Sequence, residues 1–70
     1  MMKHYIKELR TAFGWTQEEF SEKLGVSRQT IISIENGRYN PSLELAFRIS
    51  KQFGKRIEEV FIFEEGSEEA

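Results

Sequence analysis

Seventy residues with a net charge of −2 and no cysteine set narrow bounds on this chain. Such a length supports one domain, which buries only about 60% of its unfolded surface, and neither a disulfide nor a thiolate zinc site can staple it. Apolar residues at 39% and charged residues at 31% fit a globular domain rather than a disordered chain. No run approaches the roughly 18 apolar residues of a membrane span. The start, Met1-Met2-Lys3-His4, lacks an apolar signal region, so the chain is expected in the cytoplasm.

The charge is unevenly spread. All twelve acids are Glu, and residues 1–57 hold all ten Lys and Arg against six of them, a net of +4. Residues 58–70 hold the other six Glu and no base, a net of −6. The pattern is a basic domain followed by an acidic tail. We expect a domain over 1–63 and a disordered, solvated tail over 64–70.

The first predicted helix carries Ile6, Leu9 and Phe13 on one stripe and ends at Gly14. The second opens on Thr16-Gln17-Glu18-Glu19, a capping box in which Thr16 and Glu19 satisfy each other's backbone N–H. It buries Phe20 and Leu24 and stops at Gly25. The third starts from Ser27 as cap, buries Ile31 and Ile34, and closes at Asn36-Gly37. Only three residues separate Leu24 from Arg28, which predicts two short helices at a steep angle. The fourth follows Pro41 with Ser42 as cap and ends at Gly54. Its apolar face is expected to comprise Leu43, Ala46, Phe47, Ile49 and Phe53, making it the most buried helix. Residues 57–61 can form one or two further turns. Phe61-Ile62-Phe63-Glu64 is β-branched and aromatic and favours a strand, for which residues 1–4 are the nearest partner.

Catalytic readings find little support. His4 is the only histidine, and there is no Asp, no Cys and no Gly-rich phosphate loop. Ser and Thr have no base beside them. Neighbouring carboxylates such as Glu18-Glu19 point about 100° apart on a helix and read as solvated faces. No enzyme activity, metal, cofactor or small-molecule effector is expected.

The third helix is more informative. With Ile31 and Ile34 turned inward, Gln29, Ser33 and Asn36 face the opposite side, flanked by Arg28 and Ile32. Such side chains suit base edges: Arg for guanine, Gln for adenine, Ser for several bases, and an apolar group for the thymine methyl. Arg28, Gln29, Ser33 and Ile32 are therefore the candidate base readers. Arg28 could bind phosphate instead, and Ile32 could simply pack on the second helix. An ordinary polar helix surface is the competing reading.

Residues 16–42, with the capping box, Gly25-Val26-Ser27, Glu35-Asn36-Gly37 and Asn40-Pro41-Ser42 all in register, closely resemble the Cro/cI-type (Xre-like) helix-turn-helix family. The resemblance runs from Ile6 through Phe61. It implies an all-α, five-helix lambda-repressor-like domain, and small stand-alone members add a two-stranded antiparallel sheet from the termini. It also implies that the second helix of the motif enters the major groove of double-stranded DNA. By the same resemblance Gln17, Thr16, Thr30, Asn36, Arg38, Tyr39 and Asn40 contact phosphates, although Tyr39 could equally pack on the fourth helix. Arg10 and Glu35 match a structural ion pair that joins the first helix to the third. Ser21 departs from the small apolar residue usual there. Arg56 departs from the usual Ser cap, so the last helix should start less cleanly.

One motif reads a half-site, and two-fold dimers read two. The apolar surface left over is C-terminal: Phe53, Ile57, Val60, Phe61 and Phe63 are the expected homodimer interface, with completion of the monomer core as the competing reading. The expected function is that of a sequence-specific transcriptional regulator, a repressor on a palindromic operator. The alternatives are an antitoxin or restriction-modification controller of its own operon, or an interaction module that has lost DNA binding.

Overall fold

A computed structural model describes residues 3–62. Among these, five helices run in chain order: α1 (Ile6–Ala12), α2 (Gln17–Leu24), α3 (Arg28–Glu35), α4 (Leu43–Gln52) and α5 (Ile57–Val60). They are enclosed by two short strands, β1 (Lys3–His4) and β2 (Phe61–Ile62). The strands pair antiparallel, Lys3 opposite Ile62 and His4 opposite Phe61. This is the expected sheet from the two ends of the domain. The expectations for Phe63 and for residues 64–70 lie outside the described residues.

Local signals set the helix boundaries. Thr16 Oγ1 accepts the Glu19 N–H at 3.0 Å, and Glu19 Oε1 accepts the Thr16 N–H at 2.9 Å. Ser27 caps α3 through the Thr30 N–H, and Ser42 caps α4 through the Leu45 N–H, both at 3.1 Å. These bonds satisfy donors that the first turn of a helix leaves open. At the start of α5 only half of a capping box forms. Glu59 Oε1 accepts the Arg56 N–H at 2.8 Å, but Arg56 has no side-chain acceptor to return the bond. That backbone hydrogen bond holds the Glu59 carboxyl below the usual carboxylate range.

Helices α1 to α4 end alike, with a glycine at positive φ. At the end of α3, the Gly37 N–H donates to the Ile34 carbonyl and the Arg38 N–H to the Ser33 carbonyl. That crossed pair is the Schellman pattern, and the left-handed residue it needs is costly for any side chain with a Cβ. Gly25 has a second constraint. At φ +74°, an added Cβ would also lie 3.4 Å from Arg48 Nη2, which donates to the Leu24 carbonyl.

The core gathers Ile6, Phe20, Leu24, Ile31, Ile34, Leu45, Ala46, Ile49, Phe53, Val60 and Phe61. An aromatic cluster runs through it: Phe53 lies 5.1 Å from Phe20, 5.4 Å from Phe13 and 5.8 Å from Trp15 between ring centres. Trp15 packs between helices in this way, and Lys23 Nζ covers its ring at 4.7 Å. Phe13 keeps only one side in the cluster and is 46% exposed.

Two expectations are corrected here. The inner face of α4 is Leu45, Ala46, Ile49, Ser50 and then Phe53 at its cap, whereas Leu43 is 79% and Phe47 52% exposed. Both assignments are apolar stripes of one helix, and only the neighbouring helices decide which one turns inward. The C-terminal interface is corrected for the same reason. Phe53 is 4%, Val60 0% and Phe61 1% exposed, so these side chains complete the monomer core and are not available to a second copy. Ile57 is half-buried and packs against the same core.

Candidate nucleic-acid interface

Helix α3 turns Ile31 and Ile34 into the core, each at 1% exposure, and its opposite side faces outward. Arg28 and Gln29 are exposed, and Ser33 and Ile32 are half-buried. Two shallow hollows flank this helix. One is lined by Ser27, Gln29, Thr30, Ser33 and Tyr39, and the other by Arg10, Thr16, Gln17, Glu18 and Arg28. Most of the expected base and phosphate contacts therefore lie in two adjoining groups. Tyr39 is 46% exposed and borders the first hollow. Asn36, Arg38 and Asn40 are exposed on the loop that follows α3. The Schellman bonds anchor that loop through the Arg38 backbone and leave its guanidinium in solvent.

The N-terminus of α2 offers two kinds of donor to an anion. Its first backbone N–H groups have no partner within the helix. The Thr16 hydroxyl uses its oxygen to accept the Glu19 N–H and keeps its own proton to donate. Thr30 Oγ1 lies 2.9 Å from Ser27 Oγ, so the two hydroxyls share one proton between them and present the other outward.

Gln17 has a structural bond besides its expected phosphate contact. Its Nε2 donates to Glu35 Oε1 at 3.1 Å. The same carboxylate receives Arg10 Nε at 2.7 Å on Oε2 and Arg10 Nη2 at 3.3 Å on Oε1. Arg10 Nη1 donates to the Trp15 carbonyl at 2.8 Å. The Arg10 side chain is 12% and the Glu35 side chain 3% exposed. A charge that far from water requires compensation, and four hydrogen bonds supply it. The expected pair of α1 and α3 is thus a three-helix junction, with Gln17 bringing in α2. It fixes the tilt of α3 from its C-terminal end.

Two contributors escaped the sequence reading. Ser27 lines the hollow with Gln29 and Ser33 in addition to capping α3. His4 holds the same C-terminal end of α3: its Nδ1 accepts the Ile6 N–H at 3.3 Å, so Nε2 carries the proton and donates to the Ile34 carbonyl at 3.0 Å. Its ring meets Phe61 edge-on at 6.2 Å. A bond across thirty positions leaves no local trace, but a lone His at a strand start beside a β-branched and aromatic partner segment was the available signal.

Known proteins place this arrangement. A helix-turn-helix family model, HTH_3, matches residues 6–60. An uncharacterized HTH-type transcriptional regulator of Methanocaldococcus jannaschii is 56% identical over 64 residues, covering 91% of this chain and 97% of its own. The uncharacterized HTH-type transcriptional regulator YgzD of Bacillus subtilis is 52% identical over 64 residues, covering 91% and 97%. The crystal structure of a hypothetical transcription factor, NHTF, from Neisseria superimposes with a TM-score of 0.73 over 77% of this chain and 61% of its own; at 24% identity the likeness is one of fold. With its five helices, its capped motif and these relatives, the chain belongs to the Cro/cI-type (Xre-like) helix-turn-helix family of DNA-binding transcriptional regulators.

Proposed function

We infer that the chain is a repressor that reads a palindromic operator as a homodimer. The observation that carries sequence-specific reading is the outer surface of α3, where Arg28 and Gln29 are exposed beside Ser33 with no competing role in the fold. Gln29 is assigned to an adenine edge and Arg28 to guanine or to a phosphate next to the Thr16 and Gln17 hollow. Ile32 supports α3 or meets a thymine methyl. Thr16, Gln17, Thr30, Asn36, Arg38, Tyr39 and Asn40 flank this surface and fix register through phosphates without reading sequence. Small helix-turn-helix domains occupy the promoter DNA they bind, and steric exclusion of polymerase is the simplest consequence.

Selection of bound sequences from a random DNA pool tests this, with Gln29→Ala run in parallel. The parent should enrich a two-fold symmetric motif. The variant should lose preference at one position of each half-site, by about 1–3 kcal/mol of discrimination. Enrichment of no motif would defeat sequence-specific binding, and an identical motif from the variant would remove Gln29 as a reader.

A further inference from the structure

The outer stripe of α4 remains without a partner in the monomer. Leu43 and Phe47, one helical turn apart, are the two most exposed large apolar side chains among the described residues. They follow directly on the loop that carries Arg38 and Asn40, and no assigned base reader lies on this stripe. Glu44 and Lys51 border it. They are seven positions apart, two turns of helix, and so lie along the same edge about 10 Å from each other. Among the described residues neither has an ion-pair partner, and Lys51 Nζ rests 5.6 Å from the Phe47 ring centre. Arg48, by contrast, is committed to the Leu24 carbonyl.

We propose that this stripe is the surface on which a second copy of the chain docks, α4 against α4 in antiparallel sense, with Glu44 of each copy facing Lys51 of the other. The inference rests on the homodimer reading above and supplies its interface. The charges favour a copy over a different partner. A two-fold axis exchanges positions equally far on either side of it. The point midway between 44 and 51 falls beside Phe47, so one axis there juxtaposes Glu44 with Lys51 twice over and brings Phe47 against Phe47 at the centre. The arrangement is self-complementary, as an isologous interface requires. It covers the exposed apolar pair and leaves Arg28, Gln29 and Ser33 outside the contact.

Sedimentation equilibrium of the full chain tests the surface, with thermal melts followed by circular dichroism to establish that each variant folds. The parent should dimerise, and Phe47→Glu should be monomeric while still melting cooperatively from a parent-like helical spectrum. Glu44→Lys and Lys51→Glu should each weaken the dimer by about tenfold, because the two-fold repeats each like-charge clash. The double variant Glu44→Lys with Lys51→Glu should recover most of that loss, which no merely structural role for either residue would produce. A parent monomeric at high micromolar concentration overturns the proposal. So does a double variant as weak as the singles, or a Phe47→Glu variant that dimerises like the parent. Binding to a half-site duplex, measured alongside, separates the two readings. Variants that bind the half-site like the parent but do not dimerise support the surface. A dimeric parent that binds no DNA defeats the proposed function while leaving the surface in place.

Discussion

Arg10→Met removes the guanidinium that neutralises Glu35 and keeps most of the side-chain volume. The Glu35 carboxylate, 3% exposed, would retain a single side-chain donor, the Gln17 amide, and the Trp15 carbonyl would lose the Arg10 Nη1 donor. Stranding a buried charge in this way costs about 3–5 kcal/mol. A domain of this size has about 4–10 kcal/mol of stability in total, so the variant should sit near the threshold of folding. Urea unfolding at neutral pH and low temperature measures the loss. The cost belongs to the orphaned charge and not to the missing Arg itself. Adding Glu35→Leu should therefore return most of the stability, because an apolar replacement of a buried pair is often close to neutral. A double variant no more stable than Arg10→Met alone would refute the reasoning, as would a single variant that unfolds with the parent.

Further expectations concern the loop, the turn and the strand. Arg38→Ala should weaken binding equally on all DNA sequences and lower the salt slope of the logarithm of affinity by about one, read from titrations at several salt concentrations. Gly25→Ala places a Cβ in the left-handed region and 3.4 Å from Arg48 Nη2, and should cost about 1–2 kcal/mol in denaturant unfolding. Its DNA preference should be unchanged, since the residue lines neither hollow beside α3. His4→Ala removes the acceptor for Ile6 and the donor for Ile34, and should cost about 1–3 kcal/mol. Amide exchange should accelerate most at β1, β2 and the C-terminal turn of α3, and uniform acceleration would assign His4 no local role.

The boundaries of the helices were legible in the chain because their causes are local. Thr16 with Glu19, Ser27 and Ser42 cap the residues immediately after them, and Gly14, Gly25, Gly37 and Gly54 end the turns immediately before them. The outer face of α3 was legible too, since fixing Ile31 and Ile34 inward determines where Gln29 and Ser33 point. The orientation of α4 was not. Leu43 and Leu45 are equally apolar and differ by about 200° around the axis, and only packing against α2 and α5 selects Leu45. The ends of the chain behave likewise. An aromatic-rich segment reads equally well as an exposed interface or as the last layer of a core, and the closing sheet with Lys3–His4 turns Phe61 inward. The bonds from Gln17 to Glu35 and from His4 to Ile34 join positions 18 and 30 apart. Composition and periodicity carry information over a few turns, so contacts of that range come into being only when the helices are packed.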